Sequence, residues 1–248
     1  MEVFDALPPV VLVFLYGLLT ALATGLGALP FAWIDHTSKR MLSAANAIAA
    51  GLMLGACHGL AVEGSAYGAV QTVAGGVVGL LAILLTEHLL RGHDLHVGQL
   101  QGAKAHKVLL VLAVMTVHSF SEGVAVGVAF GGGEVLATLI TLAIAFHNIP
   151  EGLAISAVLR GQGASLTACA GWSIFSSLPQ PIMAVPAFLF VEHFQPFLPY
   201  GLGFAAGAMV FMVFRDLLPD AYDHGDPLTV SLWTAVSLAG MLLFQAWL

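Results

Sequence analysis

Residues 107–130 read KVLLVLAVMTVHSFSEGVAVGVAF, and residues 134–159 read EVLATLITLAIAFHNIPEGLAISAVL. Each is an apolar run long enough to cross a hydrocarbon core of roughly 30 Å as a helix, which takes about 20 residues. Each also carries a histidine and, four residues on, a glutamate followed by glycine: His118, Glu122 and Gly123 in the first, His147, Glu151 and Gly152 in the second. At positions i and i+4 a helix sets imidazole and carboxylate on one face, one turn apart. A charged side chain at mid-helix in lipid costs about 2.5–3.5 kcal/mol on insertion scales, so such residues mark function more often than packing. Only Gly131, Gly132 and Gly133 separate the runs, so the two helices are expected to run antiparallel and turn these faces together. Two imidazoles and two carboxylates would then surround one point. Their two negative charges balance a dication, and mixed nitrogen and oxygen ligands suit Zn, Fe, Mn or Co better than Mg or Ca.

The rest of the chain has the same character. Asp, Glu, Lys and Arg make up 8% of its 248 residues and hydrophobic residues 59%, with a mean hydropathy of +0.95. A soluble domain is about a quarter charged, so only a bilayer solvates this chain. The 28 glycines suit close packing of helices in lipid. Hydropathy, broken at Gly, Pro and charge, predicts an all-α integral membrane protein with eight transmembrane helices near 8–32, 43–63, 67–90, 107–130, 134–159, 165–191, 198–221 and 228–247. Residues 1–248 form one transmembrane domain on this reading. Its longest polar break, 91–106, is a cytoplasmic loop carrying His93, His96 and His106. Lys39, Arg40, Arg91, Lys104, Lys107 and Arg160 all fall in loops on one side, which the positive-inside rule makes cytoplasmic. Both termini are then outside. Met1-Glu2-Val3-Phe4-Asp5 has no positive n-region, so no removable leader is expected.

Ala49-Ala50-Gly51-Leu52-Met53 recurs as Ala205-Ala206-Gly207-Ala208-Met209, on helices of opposite direction. This predicts an inverted repeat, helices one to three related to six to eight around the central fourth and fifth. A net charge of −7 argues against nucleic-acid partners, and Cys57 and Cys169 lie in apolar runs without metal-motif spacing. Glu63 and Asp220, expected at helix ends on opposite sides, are candidates for the two mouths of a path. His58 is expected to be a hydrogen-bonded core histidine, and Arg215 to pair locally or snorkel.

One His-x-x-x-Glu pair alone is more often an internal hydrogen bond, whereas two in adjacent helices favour a shared ion. The competing classes are a proton relay, a metal-gated sensor and an intramembrane metal enzyme. The last lacks the His-Glu-x-x-His string of membrane proteases.

The segment His147 to Ala154 resembles the helix-five signature of the ZIP metal transporters, in particular their prokaryotic GufA-like branch, and His118 to Gly123 resembles its helix-four partner. Thr24 to Pro30 and Asp216 to Asp220 resemble the branch's helix-one and helix-seven segments, so the similarity spans nearly the whole chain. The resemblance implies eight helices, termini outside, often a homodimer in the cell (inner) membrane among its lipids, and uptake of Zn2+, with Fe2+, Mn2+ and Cd2+ as related cargo. No cofactor is implied beyond the metal as substrate. It places the metal on His118, Glu122, His147 and Glu151. Many relatives bind a second ion through the residue after each histidine and a helix-six glutamate. Here those positions are Ser119, Asn148 and Gln180, so a single-ion site with polar neighbours is expected.

Overall fold

The computed structural model describes residues 7–34, 38–90 and 103–247. Among them every regular element is helical: α1 Pro9–Leu26, α2 Lys39–Leu90, α3 Ala103–Gly131, α4 Glu134–Arg160, α5 Leu166–Ser177, α6 Pro179–His193, α7 Leu198–Met212, α8 Leu218–His224 and α9 Pro227–Trp247. Short 3-10 turns at Leu29–Ala32 and Gln195–Phe197 and a π-helical turn at Val213–Leu217 complete the fold. Six spans among the described residues are long and apolar enough to cross a bilayer. They are Pro9–Ala32, Lys39–Leu85, Glu134–Arg160, Leu166–His193, Gln195–His224 and Pro227–Trp247.

Sequence signals account for several of the helix boundaries. Pro9 opens α1 and Pro179 opens α6, where a missing N–H would have no intrahelical partner anyway. The side chain of Ser165 accepts a hydrogen bond from the Ala168 N–H at 3.2 Å and caps α5. Gly133 turns α3 into α4 with φ of +114°, a conformation that residues with a Cβ rarely adopt.

Other boundaries correct the expected ones. The second and third predicted helices are one 52-residue element whose backbone leaves helical geometry at Gly68 (φ 172°, ψ 103°), not near residues 64–66. Glu63 therefore lies inside a helix instead of ending one. The predicted helix 165–191 is interrupted at Leu178, ahead of the Pro179 and Pro181 pair, and the predicted 198–221 continues through the π-helical turn to His224. Because α3 begins at Ala103, His106 belongs to a helix and not to the loop, while His93 and His96 lie outside the described residues.

Close backbone approach organises the packing. Gly75 and Gly79 of α2 lie against the carbonyls of Tyr200 and Phe204, and Gly203 and Gly207 of α7 against those of Thr72 and Gly76. Any Cβ there would collide with backbone. Gly123 and Gly127 of α3 meet α6 in the same way, at the carbonyls of Gln180 and Ala184. Small residues that admit a neighbouring backbone are how helices associate where lipid removes the hydrophobic drive. Large apolar side chains point outward, among them Val70, Val77 and Leu85 on α2 and Trp233, Val236 and Leu243 on α9. Fully buried positions include Glu122, Asn148 and Gln180. This arrangement, polar inside and apolar outside, suits a lipid surround.

Candidate metal site

His118 and Glu122 lie mid-way along α3 and His147 and Glu151 mid-way along α4. The short glycine turn folds α4 back on α3, and the i, i+4 spacing on each helix does the rest. One donor atom from each of the four residues lies within 4.8 Å of all the others, and all four side chains are buried. The two imidazole rings are 6.3 Å apart between centroids and inclined at 60°. Nε2 of His147 lies 2.5 Å from Oε1 of Glu122, and Nε2 of His118 lies 3.4 Å from the same oxygen. Among the described residues, these four side chains form the His, Cys, Asp and Glu group that converges tightly enough to hold an ion.

Glu151 differs from the other three. Both of its carboxylate oxygens are buried and accept no hydrogen bond. A buried carboxylate without a partner is costly, because desolvation is not repaid by any donor. A cation bound among the four donors supplies the missing partner, and with Glu122 it meets two negative charges. Tetrahedral Zn2+ with ligands at about 2.0–2.2 Å needs donors roughly 3.3–3.6 Å apart. Donor pairs up to 4.8 Å apart would thus draw in by as much as about 1.2–1.5 Å, while the His147–Glu122 contact opens to admit the ion.

Polar neighbours flank the cluster. Asn148 Nδ2 donates to the Thr20 carbonyl at 2.8 Å and to Gln180 Oε1 at 3.1 Å, and Gln180 Nε2 donates to Glu122 Oε2 at 2.5 Å. The hydroxyl of Ser119 and Oδ1 of Asn148 are buried without partners. Two backbone contacts hold this region together: Gly152 lies against the Thr24 carbonyl, and Gly27 against the backbone of Gly152 and Leu153. Thr20 escaped the sequence reading, since it contributes a main-chain oxygen that side-chain chemistry does not signal.

The remaining candidates lie apart from the four donors. Glu63 sits beside Gly132 in the α3–α4 turn. Asp220, on α8, accepts a hydrogen bond from Asn46 of α2 and lies 3.5 Å from Nδ1 of His224. His58 is exposed, its Nδ1 3.2 Å from Oε1 of Gln245. Cys57 and Cys169 are buried free thiols.

Comparison with known proteins supplies the remaining observations. Residues 86–246 match the family model for ZIP zinc transporters. The chain is similar to a putative zinc transporter of Arabidopsis thaliana, 44% identical over 231 residues that make up 92% of this chain and 37% of that protein. It therefore spans little more than a third of the plant relative's length. It is similar also to the zinc transporter GufA of Myxococcus xanthus, 31% identical over 84% of this chain and 87% of that protein. A third relative is the zinc transporter ZIPB of Bordetella bronchiseptica, 30% identical over 90% and 77%.

Proposed function

Because the chain belongs to the ZIP zinc transporter family, we propose that it carries a divalent transition-metal ion, Zn2+ foremost, across the cell membrane into the cytoplasm through His118, Glu122, His147 and Glu151. A member of this family is a transporter and not an enzyme, and the metal is its cargo. The observation that carries the site is the buried, unpartnered Glu151 carboxylate within a shell of two imidazoles and a second carboxylate. Nitrogen donors favour Zn2+ and its first-row neighbours Fe2+ and Mn2+, together with Cd2+, over Mg2+ or Ca2+.

The ion arrives hydrated from outside, exchanges water for the four side chains near mid-membrane and leaves inward as α3 and α4 shift against the other helices. Ligation stays reversible because half of the donors begin the cycle engaged with each other, as His147 is with Glu122. Glu63 and Asp220 stand at the two mouths.

The chain crosses the membrane eight times on this account. The span Lys39–Leu85 has 47 residues, about 70 Å as helix, enough for two crossings joined at Gly68. The 29-residue α3 supplies another. Helices one to three and six to eight form the inverted repeat, residues 91–106 face the cytoplasm, both termini lie outside and two chains pair as a homodimer. The functional test is zinc flux into liposomes loaded with a metal-sensing dye. Wild type fills the vesicles and Glu151→Ala does not; full flux through that variant would sink the proposal.

A further inference from the structure

Gln180 lies in the first turn of α6, fully buried beside a cluster to which it contributes no ligand. Its Nε2 donates to Oε2 of Glu122 at 2.5 Å while its Oε1 accepts from Asn148 at 3.1 Å. Chemistry allows this orientation of the amide alone. Turned over, it would set carbonyl oxygen against carboxylate oxygen and NH2 against NH2. The carboxylate of Glu122 is therefore divided. Oε1 faces His147 and His118, and Oε2 is capped by a neutral donor.

The cap is held firmly in place. Gly123, next to Glu122, lies against the carbonyl and Cα of Gln180, and Gly17 of α1 lies against Pro181 and the Gln180 carbonyl carbon. Side chains larger than hydrogen at either glycine would push α6 away. Asn148 carries the network on to the Thr20 carbonyl at 2.8 Å, so one chain of hydrogen bonds joins α3, α6, α4 and α1 at the cluster.

We propose that Gln180 sets the site at one ion per chain in two ways, by holding Oε2 of Glu122 with an amide donor and by bringing no negative charge, so that this carboxylate does not bridge to a second cation. The inference rests on the four-donor cluster being the ion site. A second dication beside the first would meet an N–H where it needs a lone pair. Of the unpartnered oxygens beside the cluster, Ser119 Oγ and Asn148 Oδ1 are neutral, and those of Glu151 serve the first ion. The two carboxylates of the cluster balance one dication, and a second would leave two positive charges uncompensated in lipid. A carboxylate at position 180 removes the donor and supplies one of the two missing negative charges.

The test is equilibrium binding of Zn2+, and separately Cd2+, to chelator-stripped protein in detergent, with ions per chain counted by elemental analysis and affinity read by calorimetry. Wild type binds one ion per chain and Gln180→Glu binds two. Gln180→Met, which keeps the volume and loses the amide, still binds one, with an affinity about 10- to 100-fold weaker, as is usual when a ligand's hydrogen-bond partner is removed. A merely structural glutamine would lower stability without changing the ion count. Two ions on wild type, one ion on a folded Gln180→Glu, or wild-type affinity in Gln180→Met would each overturn the inference. Should Gln180→Glu fail to fold, the wild-type count and Gln180→Met still decide. Failure of the underlying site reads differently: the double variant His118→Ala/His147→Ala would then retain its ion.

Discussion

Replacing the cluster's two glutamates by methionine should have opposite effects on the ion-free protein. Methionine is close to glutamate in volume and carries no oxygens. At position 151 it deletes two buried atoms that have no hydrogen-bond partner. An unsatisfied buried polar group costs about 1–3 kcal/mol, more when charged. In the presence of EDTA, Glu151→Met should therefore gain about that much stability. For a chain of this size that is a rise in melting temperature of roughly 2–12 °C. At position 122 the same substitution removes the partner of His147 at 2.5 Å, of Gln180 at 2.5 Å and of His118 at 3.4 Å. Breaking a buried network from one side costs about 3–5 kcal/mol, so the melting temperature of Glu122→Met should fall by roughly 6–20 °C. Zinc at a hundred times its dissociation constant stabilises the wild type by about 2.7 kcal/mol, and both variants should lose most of that gain. The assay is thermal unfolding in detergent with and without ZnCl2. Equal destabilisation of the two EDTA-treated variants, or undiminished zinc stabilisation of Glu151→Met, would refute the reasoning.

Three further outcomes follow from the same geometry. Gly152→Ala sets a Cβ against the Thr24 backbone. It should cost about 1–3 kcal/mol of stability and weaken zinc binding as Glu151 moves with α4; unfolding and calorimetry check both. Acidification from pH 7.5 to 5.5 should slow zinc uptake, because protons compete with the ion for its nitrogen and oxygen donors. A rate in dye-loaded liposomes that stays constant over this range would contradict it. Asp220→Ala removes the acceptor of Asn46 at one mouth. It should reduce flux several-fold while leaving equilibrium zinc affinity unchanged, and equal losses of both would place Asp220 at the site itself.

The sequence made the convergence of the four donors legible because the information is local. An i, i+4 spacing fixes a face, and Gly131 to Gly133 permit only a tight reversal, so α3 and α4 had little freedom. Helix limits were harder to read where side chains do not report on the backbone. The break at Gly68 follows a run in which Gly64, Ser65, Ala66 and Tyr67 all remain helical, so hydropathy offered no sharp edge and misplaced Glu63 at a helix end. At Leu178 the backbone keeps helical dihedrals (φ −57°, ψ −27°), and the interruption falls where Pro179 and Pro181 bring no N–H to the hydrogen-bond ladder. Partners of the network were the least visible. Gln180 was marked by its position alone, since its hydrogen bonds to Glu122 and Asn148 depend on Gly17 and Gly123, residues distant in sequence, admitting its backbone. The Thr20 carbonyl had no signal at all.

X-ray absorption at the zinc K-edge of the purified, zinc-loaded chain tests the central claim most directly. The account predicts a shell of nitrogen and oxygen at about 2.0–2.2 Å, with outer scattering from two imidazoles that disappears in His118→Ala/His147→Ala. A sulfur shell near 2.3 Å, or an imidazole signal that survives the double substitution, would contradict it.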